Sequence, residues 1–505
     1  MAPRPAEGWK ICILVERNEQ MNSELKIDYD NVQIIENVPN LLTVDDADAM
    51  SMTDSLRLFE KHINPNLGKI YKLLGLSSRR PIRAKGSWIY MEDGTKVLDF
   101  TSGLAVLALG HNHPKIMEAR KRWAAEDQLE IWKFIPSPYQ AVLAHNLSKI
   151  MPGDLEKVFF CNSGAEANEG ALKMAMKYAG RDRDITAFTN ISFHGKTLAT
   201  LSVSGSEKSG CDAFRRLPGC VEVPYGDIDA FERLLSDNRN EDGQTRVGCF
   251  IVEAIRSEGV ISPPIGYLKR VRELCTKHDV VLICDEVFCG FGRTGKMFAF
   301  EHEDIVPDIV TCSKAFGAGK ATFAAIVARS PIFMGAYGTL DEATLHSTTF
   351  SGFGEEIVTA ITGLEVIYEE RLVDRSRELG DYLLDQMNGL AQEHKNLVSD
   401  VSGRGLMVSI QLTNGVSRFL SKNGLINSKD LEAKVSKLLT GSIISRLYQK
   451  HGILTLTPLH DPTQILLVPP LNIKKSEIDI FITAFDECLN CMKTSNIVRM
   501  ARNAL

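Results

Sequence analysis

Two lysines, Lys314 and Lys320, stand six positions apart in the stretch PDIVTCSKAFGAGK, among small and apolar residues. Lysines are rarely buried without a partner, because removing an ammonium group from water is costly. Lys314 directly follows the strand-like run DIVTCS. A lysine at a strand end that faces a cleft can form a Schiff base if burial or a nearby cation lowers its pKa. Lys320 lies beyond the GAG turn, and we expect it to be a solvated or loop-bracing charge.

A second candidate group is a carboxylate at the end of another apolar run, VVLICDEV, where Asp285 and Glu286 stand 29 and 28 residues before Lys314. Parallel α/β sheets bind their ligands just beyond the carboxyl ends of the strands. A carboxylate at that edge can hydrogen-bond a ring nitrogen and hold it protonated. A solvated loop acid or a helix cap is an equally acceptable interpretation. The following GFGRTG is not a dinucleotide-binding motif, because its glycine spacing differs and it does not open a helix.

The third candidate is a turn of small residues at 162–165, in FFCNSGAEANEGALKMAMKYAGR, where a strand runs into a helix. Ser163 and Glu166 have the spacing of a capping box, and Gly180 is placed to end the helix. The unpaired backbone N–H groups of such a turn can bind a phosphate, although most turns of this kind bind nothing. Phe193 in FHGKT could supply a flat side chain against a cofactor ring.

The elements that must position these groups alternate between strand and helix from about residue 155 to 330. Predicted strands are KVFFCN, CFIVEAI, VVLICDEV and DIVTCS, and the clearest helices are SGAEANEGALKMAMKYAG and GYLKRVRELCTKHD. The alternation predicts a large α/β domain with a mostly parallel sheet covered by helices. A hairpin is expected around Asp93-Gly94, and a smaller α+β domain is expected to begin near residue 350. Residues 1–55 are polar, and we expect them to form an irregular N-terminal arm.

Composition excludes several classes of function. The 505 residues carry a net charge of −6, which argues against a dominant nucleic-acid or anionic-membrane surface. Apolar runs do not reach the roughly 18–20 residues of a membrane span, and the start lacks a signal-peptide pattern. The eleven cysteines are scattered, as is typical of reduced thiols, so we expect a cytoplasmic protein. Cys488 and Cys491 form a CxxC without a second ligand pair, and we predict no metal site.

Taken in order, the motifs NSGAEANE, FHGKT, VEAI…EG, DEV…GFGRTG, PDIV…SKAFGAG, HSTTFSG and GRGLM resemble the class III family of pyridoxal-phosphate aminotransferases, of fold type I. That family includes ornithine, putrescine, 4-aminobutyrate and other ω-amine aminotransferases, and the similarity spans roughly residues 85–475. It implies pyridoxal 5′-phosphate as cofactor and a homodimer with shared active sites. The domains would be an arm at 1–55, the N-terminal part of the small domain at 56–100, the large cofactor-binding domain at 101–350 and the C-terminal small domain at 351–505.

The resemblance also implies roles for individual residues. Lys314 would be the catalytic lysine that binds the cofactor, and Asp285 would pair with its ring nitrogen. Arg404 in GRGLM would clamp a substrate α-carboxylate, and Glu258 would lie at the substrate. Glu253 and Glu258 match the acidic pair of the family motif EPIQGEG. The implied cofactor-binding residues are Ser163, Gly164, Ala165, Phe193, His194, Glu253, Asp285, Val287, Phe288, Lys314 and, from the partner subunit, Thr349.

Three departures from the family pattern surround the expected cofactor rim and substrate entrance. Phe288 stands where the family has a glutamine, and FGGNP becomes FSGFG at residues 350–354. EPIQGEG becomes EAIRSEG, with Arg256 in place of glutamine and Ser257 in place of glycine. An apolar Phe288 could favour a long apolar amine or aldehyde, or weaken the binding of the cofactor.

The sequence thus predicts an aminotransferase that works by a two-stage, ping-pong exchange. One half-reaction would use an amino acid and keto acid such as glutamate/2-oxoglutarate or alanine/pyruvate, and the other an ω-amine, diamine or aldehyde. A racemase, aminomutase or decarboxylase on the same scaffold is an alternative. A catalytically silent binding homologue is a remote one, because Lys314 and Asp285 are intact.

Overall fold

The computed structural model describes residues 41–205, 213–413, 429–458 and 461–492, with side chains in the helix that begins at Lys429 described from Ser436 onward. The chain divides into two compact units, Met1–Pro65 and Asn66–Leu505. The predicted arm lies largely outside the described residues, since its first 40 positions are not among them.

Helices and strands alternate through most of the described chain. The helices are α1 Val44–Ala49, α2 Met52–His62, α3 Pro65–Leu74, α4 Ser102–Ala105, α5 Pro114–Ala125, α6 Pro138–Ile150, α7 Gly164–Ala179, α8 Leu198–Ser202, α9 Ile228–Asp237, α10 Tyr267–Lys277, α11 Ser330–Tyr337, α12 Gly354–Glu369, α13 Leu372–Glu393, α14 Lys429–His451 and α15 Lys475–Cys491. The strands are β1 Pro81–Lys85, β2 Trp88–Met91, β3 Lys96–Asp99, β4 Leu155–Cys161, β5 Ile185–Thr189, β6 Cys220–Val223, β7 Val247–Val252, β8 Val281–Asp285, β9 Ile309–Cys312, β10 Ala324–Arg329, β11 Val398–Gly403, β12 Val408–Leu412, β13 Ile453–Leu454 and β14 Gln464–Leu467. Short 3₁₀ helices cover Ala299–Glu303, Lys314–Gly317, Leu340–Glu342 and Thr349–Gly352.

The end of the predicted arm is helical, so the expected irregular conformation is wrong for the residues of α1 and for the first turn of α2. Thr43 caps α1, and its side chain and that of Asp46 exchange hydrogen bonds with each other's backbone N–H groups. Ser51 caps α2 by accepting from the backbone N–H of Asp54. Both starts carry a Ser/Thr-x-x-Asp signal, and such caps satisfy N–H groups that a helix start leaves unpaired.

A seven-stranded sheet forms the centre of the larger unit, in the order β4-β10-β9-β8-β7-β5-β6. Strand β10 runs antiparallel to both of its neighbours, β4 and β9, and the remaining pairs are parallel. Every residue of β7, β8 and β9 is buried, as expected for parallel strands covered by helices on both faces. The predicted mixed, mostly parallel sheet is therefore confirmed.

The chemistry-bearing strands share one edge of this sheet. Because β4 and β9 are both antiparallel to β10, they run in the same direction, and β9, β8, β7 and β5 are mutually parallel. The carboxyl ends of these five strands consequently meet at a single edge. Asp285 is the last residue of β8, and the loops that follow the other four strands carry the turn at 162–165, Phe193, Glu253 and Lys314.

Two smaller sheets lie outside the large one. Strands β2 and β3 form the hairpin predicted around Asp93-Gly94, and β13 pairs with β3 in parallel, so the first sheet joins residues near 98 to residues near 453. The second sheet has the order β11-β12-β14 and is antiparallel. The chain from 350 onward mixes helices with these strands, as expected for an α+β region. Among the residues that the structure describes, helices long and apolar enough to cross a membrane are not found.

Candidate active site

Lys314 lies two residues beyond β9, at the first position of a 3₁₀ helix, with a backbone φ of +49°. A non-glycine residue in the left-handed region is uncommon, and such conformations concentrate at functional sites. Burial lowers the pKa of the Lys314 ammonium from its ordinary value, and the negative charges of Asp285 and Glu253 oppose that shift. Its Nζ lies 4.5 Å from the centroid of the Phe288 ring. A lysine whose pKa is lowered by desolvation has more of the neutral, nucleophilic amine at neutral pH.

Asp285 ends β8 and is 3% exposed. Its Oδ2 accepts from His194 Nδ1 at 2.7 Å and from Asn168 Nδ2 at 2.8 Å. Its Oδ1 accepts from the backbone N–H of Val287 at 2.9 Å. Three donors therefore fix the plane of the carboxylate, and neither the solvated loop acid nor the helix cap describes it.

Asn168 is a member of this network that the sequence did not point to. It is buried on α7, and its Oδ1 accepts from Thr311 Oγ1 at 2.7 Å while its Nδ2 donates to His194 O at 2.8 Å as well as to Asp285. A buried amide needs partners on both its oxygen and its nitrogen. The sequence offers one indication of this role: Asn168 is a polar residue directly after Ala167, on a helix face that is otherwise apolar.

Glu253 follows β7 and is 2% exposed. Its Oε2 accepts from the backbone N–H of Phe193 at 3.1 Å, and its Oε1 accepts from that of Ser257 at 3.0 Å. Burial raises the pKa of Glu253, and the neighbouring charge of Asp285 adds to the shift. Glu253 thus holds the loops after β5 and β7 together. Glu258, also predicted, is partly buried, and its charge raises the pKa of Lys314.

The residue next to Asp285 has a structural role. Glu286 is fully buried, and its two carboxylate oxygens accept from the backbone N–H groups of Ala299 and Phe300 at 2.9 and 3.0 Å. Burial raises the pKa of Glu286 to about 8. The side chain therefore braces the loop that contains GFGRTG.

The predicted phosphate turn has the expected local form. Ser163 caps α7, its Oγ accepts from the N–H of Glu166, and Glu166 reciprocates as a capping box. Gly164 and Ala165 occupy the first two helical positions, whose N–H groups have no acceptor within a helix. Gly164 lies so close to Val287 that an added Cβ would stand 2.7 Å from Val287 Cγ1. The turn and Val287, two residues after Asp285, are thus in direct contact.

Three other residues discussed in the sequence analysis have solvent-exposed side chains. Lys320 is exposed, as expected. Thr349 is exposed in a 3₁₀ helix whose preceding residue, Thr348, donates from Oγ1 to Asn162 Oδ1 at 2.8 Å. Arg404 is also exposed, and its backbone N–H donates to Met407 O. Burial lowers the pKa of His302 to about 4, and the positive charge of Arg404 contributes to this shift. The Arg404 guanidinium is therefore near the His302 imidazole.

Comparison with known proteins decides the family. The family model described as aminotransferase class-III matches residues 77–489. The chain belongs to the class-III aminotransferases. The aminotransferase PigE of Serratia sp. (strain ATCC 39006) is 34% identical to this chain in an alignment of 460 residues that covers 86% of this chain and 53% of that protein. The chain therefore spans about half the length of this curated relative.

Solved structures of an ornithine aminotransferase and of an ω-transaminase share the fold. The ornithine aminotransferase of Toxoplasma gondii, described with partial occupancy of PLP at its active site, superimposes with a TM-score of 0.70 at 26% identity and covers 83% of this chain and 92% of its own. An (S)-enantioselective ω-transaminase from Thermomicrobium roseum gives a TM-score of 0.75 at 24% identity, over 87% and 99% of the two chains. The fold is thus the fold type I expected from the sequence.

The residues of this chain fit pyridoxal phosphate, the cofactor of class-III aminotransferases. A lysine of lowered pKa, an oriented carboxylate and a helix start with open N–H groups stand at one sheet edge. The Nε2 of His194 is buried and has no hydrogen-bond partner among the described residues, so one polar atom remains for a ligand or water. Lys314 would bind the aldehyde carbon, Asp285 would face the ring nitrogen, and Gly164 and Ala165 would meet the phosphate.

Proposed function

We propose that this chain is a pyridoxal-phosphate-dependent aminotransferase that moves an amino group between a small-molecule amine and a keto acid by a ping-pong mechanism. The observation that carries the proposal is Lys314, held in a left-handed conformation after β9 with a lowered pKa, at the sheet edge that also presents Asp285. Pyridoxal phosphate, when bound, supplies an electron sink that stabilises negative charge on the substrate carbon.

We assign each side chain of the site a separate role in the proposed reaction. Lys314 Nζ, in its neutral form, accepts a proton from the substrate carbon and donates it in the following step as a general base and acid. The Asp285 carboxylate, held by its three donors, is oriented to keep a proton on a ring nitrogen. Phe193 and Val287 are placed after β5 and β8, where they could pack on the two faces of a ring.

The residues around the proposed cofactor site suggest which classes of substrate it accepts. Phe288, partly buried against Lys314, makes an apolar wall that suits a long apolar amine or aldehyde. The keto-acid partner carries a carboxylate, and Arg404, which the family resemblance assigns to it, would meet that group from the exposed side. Glutamate/2-oxoglutarate and alanine/pyruvate are the pairs to test first.

We also propose a cytoplasmic homodimer in which Thr349 reaches the partner's site. All of the cysteines that the structure describes are free thiols, which suits a reducing compartment. Apolar side chains stand exposed near Thr349: Phe134 is 96% exposed and Phe350 is 56% exposed. Lys133 Nζ donates to Thr348 O at 2.7 Å, so the two segments are neighbours and form one apolar patch. Such patches mark protein–protein contacts.

Borohydride reduction of the protein loaded with pyridoxal phosphate tests the proposal. Mass spectrometry of the digested protein is expected to find the pyridoxyl group on Lys314. Lys314→Ala is expected to lose both the label and amine conversion, and Lys320→Ala, its neighbour in the same loop, is expected to keep both. Label on any other lysine would contradict the assignment.

A single-turnover experiment separates transamination from other reactions on the same cofactor. Mixing the loaded enzyme with an amine is expected to leave the amino group on the cofactor and release one equivalent of an oxo product. Racemisation or decarboxylation would regenerate the starting spectrum without an oxo product. A protein that binds no pyridoxal phosphate would instead support the catalytically silent homologue.

A further inference from the structure

Asn168 connects four elements of the candidate active site. It lies on α7 and is 1% exposed. Its Nδ2 donates to Asp285 Oδ2 at the end of β8 and to the carbonyl of His194 after β5, both at 2.8 Å. Its Oδ1 accepts from Thr311 Oγ1 on β9 at 2.7 Å. Both N–H groups of the amide and its oxygen therefore have partners, as a buried amide requires.

These partners fix the direction in which the Asn168 amide points. Turning the amide end for end would bring its oxygen against the Asp285 carboxylate and the His194 carbonyl. A carbonyl and an ionised carboxylate only accept hydrogen bonds, so three acceptors would then face one another. The Thr311 hydroxyl, which donates to Oδ1, stabilises the observed direction from the other end. The amide nitrogen is consequently held on Asp285.

Asn168 spans two neighbouring strands of the sheet. Asp285 on β8 lies directly opposite Thr311 on β9, and the chain reaches Lys314 three residues after Thr311. One end of the Asn168 amide binds each of the two paired side chains. The position of the carboxylate relative to the strand that leads to Lys314 therefore depends on this one amide.

The hydrogen bonds of Asp285 are divided unequally between its two oxygens. Oδ2 accepts from Asn168 Nδ2 and from His194 Nδ1, so both of its lone pairs are in use. Oδ1 accepts from the backbone N–H of Val287, and the described part of the chain supplies no second donor to it. Oδ1 is thus the oxygen that keeps a lone pair for a further donor.

We propose that Asn168, anchored by Thr311, is a positioning residue that presents Oδ1 of Asp285 to the ring nitrogen of pyridoxal phosphate. The proposal rests on the cofactor of the proposed function and adds two residues that act through Asp285. The terminal torsion of an aspartate is broad, so its donors set the plane of the carboxylate. A neutral amide sets that plane without adding a positive charge that would compete with a protonated ring nitrogen for the carboxylate.

The test compares two compounds that differ only at the ring nitrogen. Pyridoxal phosphate and its 1-deaza analogue, in which a C–H group replaces that nitrogen, are titrated into the cofactor-free protein and followed by equilibrium dialysis. The wild type is expected to prefer pyridoxal phosphate. Asn168→Ala is expected to weaken the binding of pyridoxal phosphate about tenfold, because a hydrogen bond that aligns a charged group is lost. Binding of the analogue is expected to change by less than about threefold.

Further variants separate positioning from damage to the packing. Asn168→Asp retains the size of the side chain but replaces a donor by an acceptor, so it is expected to lose at least as much of the preference as Asn168→Ala. Thr311→Val removes only the hydroxyl that orients the amide, and it is expected to lose part of the preference. The matched control is Thr186→Val, which removes another buried hydroxyl, from β5 of the same sheet. This control is expected to keep the full preference.

The outcomes distinguish this proposal from the proposed function. Equal losses for both compounds in the variants of Asn168 and Thr311 would show that these residues only support the fold, and would overturn the proposal. An unchanged preference in these variants, or a wild type without any preference, would overturn it as well. A wild type that binds neither compound would refute the cofactor and this proposal together. Binding does not need turnover, so a wild type that shows the preference but exchanges no amino group would refute transamination alone.

Discussion

At the scale of single residues, the protonation of Lys314 is the property on which the proposed chemistry depends. Desolvation lowers its pKa, while Asp285, Glu253 and the face of the Phe288 ring favour its charged form. The family glutamine at position 288 would offer a hydrogen bond, whereas the phenylalanine of this chain offers only its ring. The protonation of Lys314 therefore depends on the balance between burial and the ring.

Replacing Phe288 by leucine tests that balance in the cofactor-free protein. Phe288→Leu keeps an apolar wall but removes the ring, so the pKa of Lys314 is expected to fall further. The measurement is the pH dependence of amine labelling at Lys314, followed by mass spectrometry. In the wild type the midpoint for Lys314 is expected below the ordinary value of a lysine, because burial lowers its pKa.

Phe288→Tyr retains the ring face and serves as the control, with a midpoint close to that of the wild type. A wild-type midpoint for Lys314 at or above the ordinary value of a lysine would contradict the lowered pKa. An unchanged midpoint in Phe288→Leu would show that the ring does not influence the amine.

At the scale of elements, the contact between the start of α7 and the end of β8 sets the geometry of the site. Gly164 is the first residue of α7. Val287 lies two residues after Asp285, and its backbone N–H donates to the Asp285 carboxylate. The two residues touch, so the phosphate turn and the oriented carboxylate are fixed relative to each other. A glycine is required at the first helical position because a side chain would displace Val287.

Gly164→Ala is expected to reduce the free energy of unfolding by about 1–3 kcal/mol, the usual effect of overpacking a tight site. It should also weaken pyridoxal phosphate binding, because Val287 moves and Asp285 moves with it. Urea unfolding of the cofactor-free protein and titration with the cofactor measure the two effects.

The matched control is Gly389→Ala in α13, where an added Cβ would meet no described heavy atom within 4 Å. This change is expected to stabilise the chain by about 0.4–1 kcal/mol, since alanine is the better helix former. Equal effects of the two substitutions would show that the contact with Val287 does not limit the site.

At the scale of the whole molecule, the proposed dimer accounts for the apolar side chains near Thr349. A charge placed in an apolar interface must be desolvated on association, so Phe134→Glu/Phe350→Glu is expected to shift the protein from dimer to monomer. Sedimentation measures the mass, and the monomer is expected to bind pyridoxal phosphate more weakly because the partner's threonine is lost.

Ile265 provides the control, since it is an exposed apolar residue outside this patch. Ile265→Glu is expected to leave the dimer intact. A wild type that sediments as a monomer at micromolar concentration would contradict the dimer, and a dimeric double variant would place the interface elsewhere.

The sequence by itself determined the local structure around the candidate site. Apolar runs predicted the strands, the Ser163–Glu166 spacing predicted the cap of α7, and glycine marked its end, because these signals act over a few residues. The order of the motifs also determined the family, which the comparisons confirm. The helical start at Val44 was missed, although its capping signal is equally local.

Only the tertiary structure decided which side chains share the site. Asn168 and Asp285 are 117 residues apart in sequence and 2.8 Å apart in space, a contact that depends on the packing of α7 across the sheet. Arg256 and Arg404 look alike as sequence letters, yet one is buried beside carboxylates and the other is exposed. Burial and long-range contacts depend on the order in which the strands pair in the sheet. A single sequence motif does not determine that order.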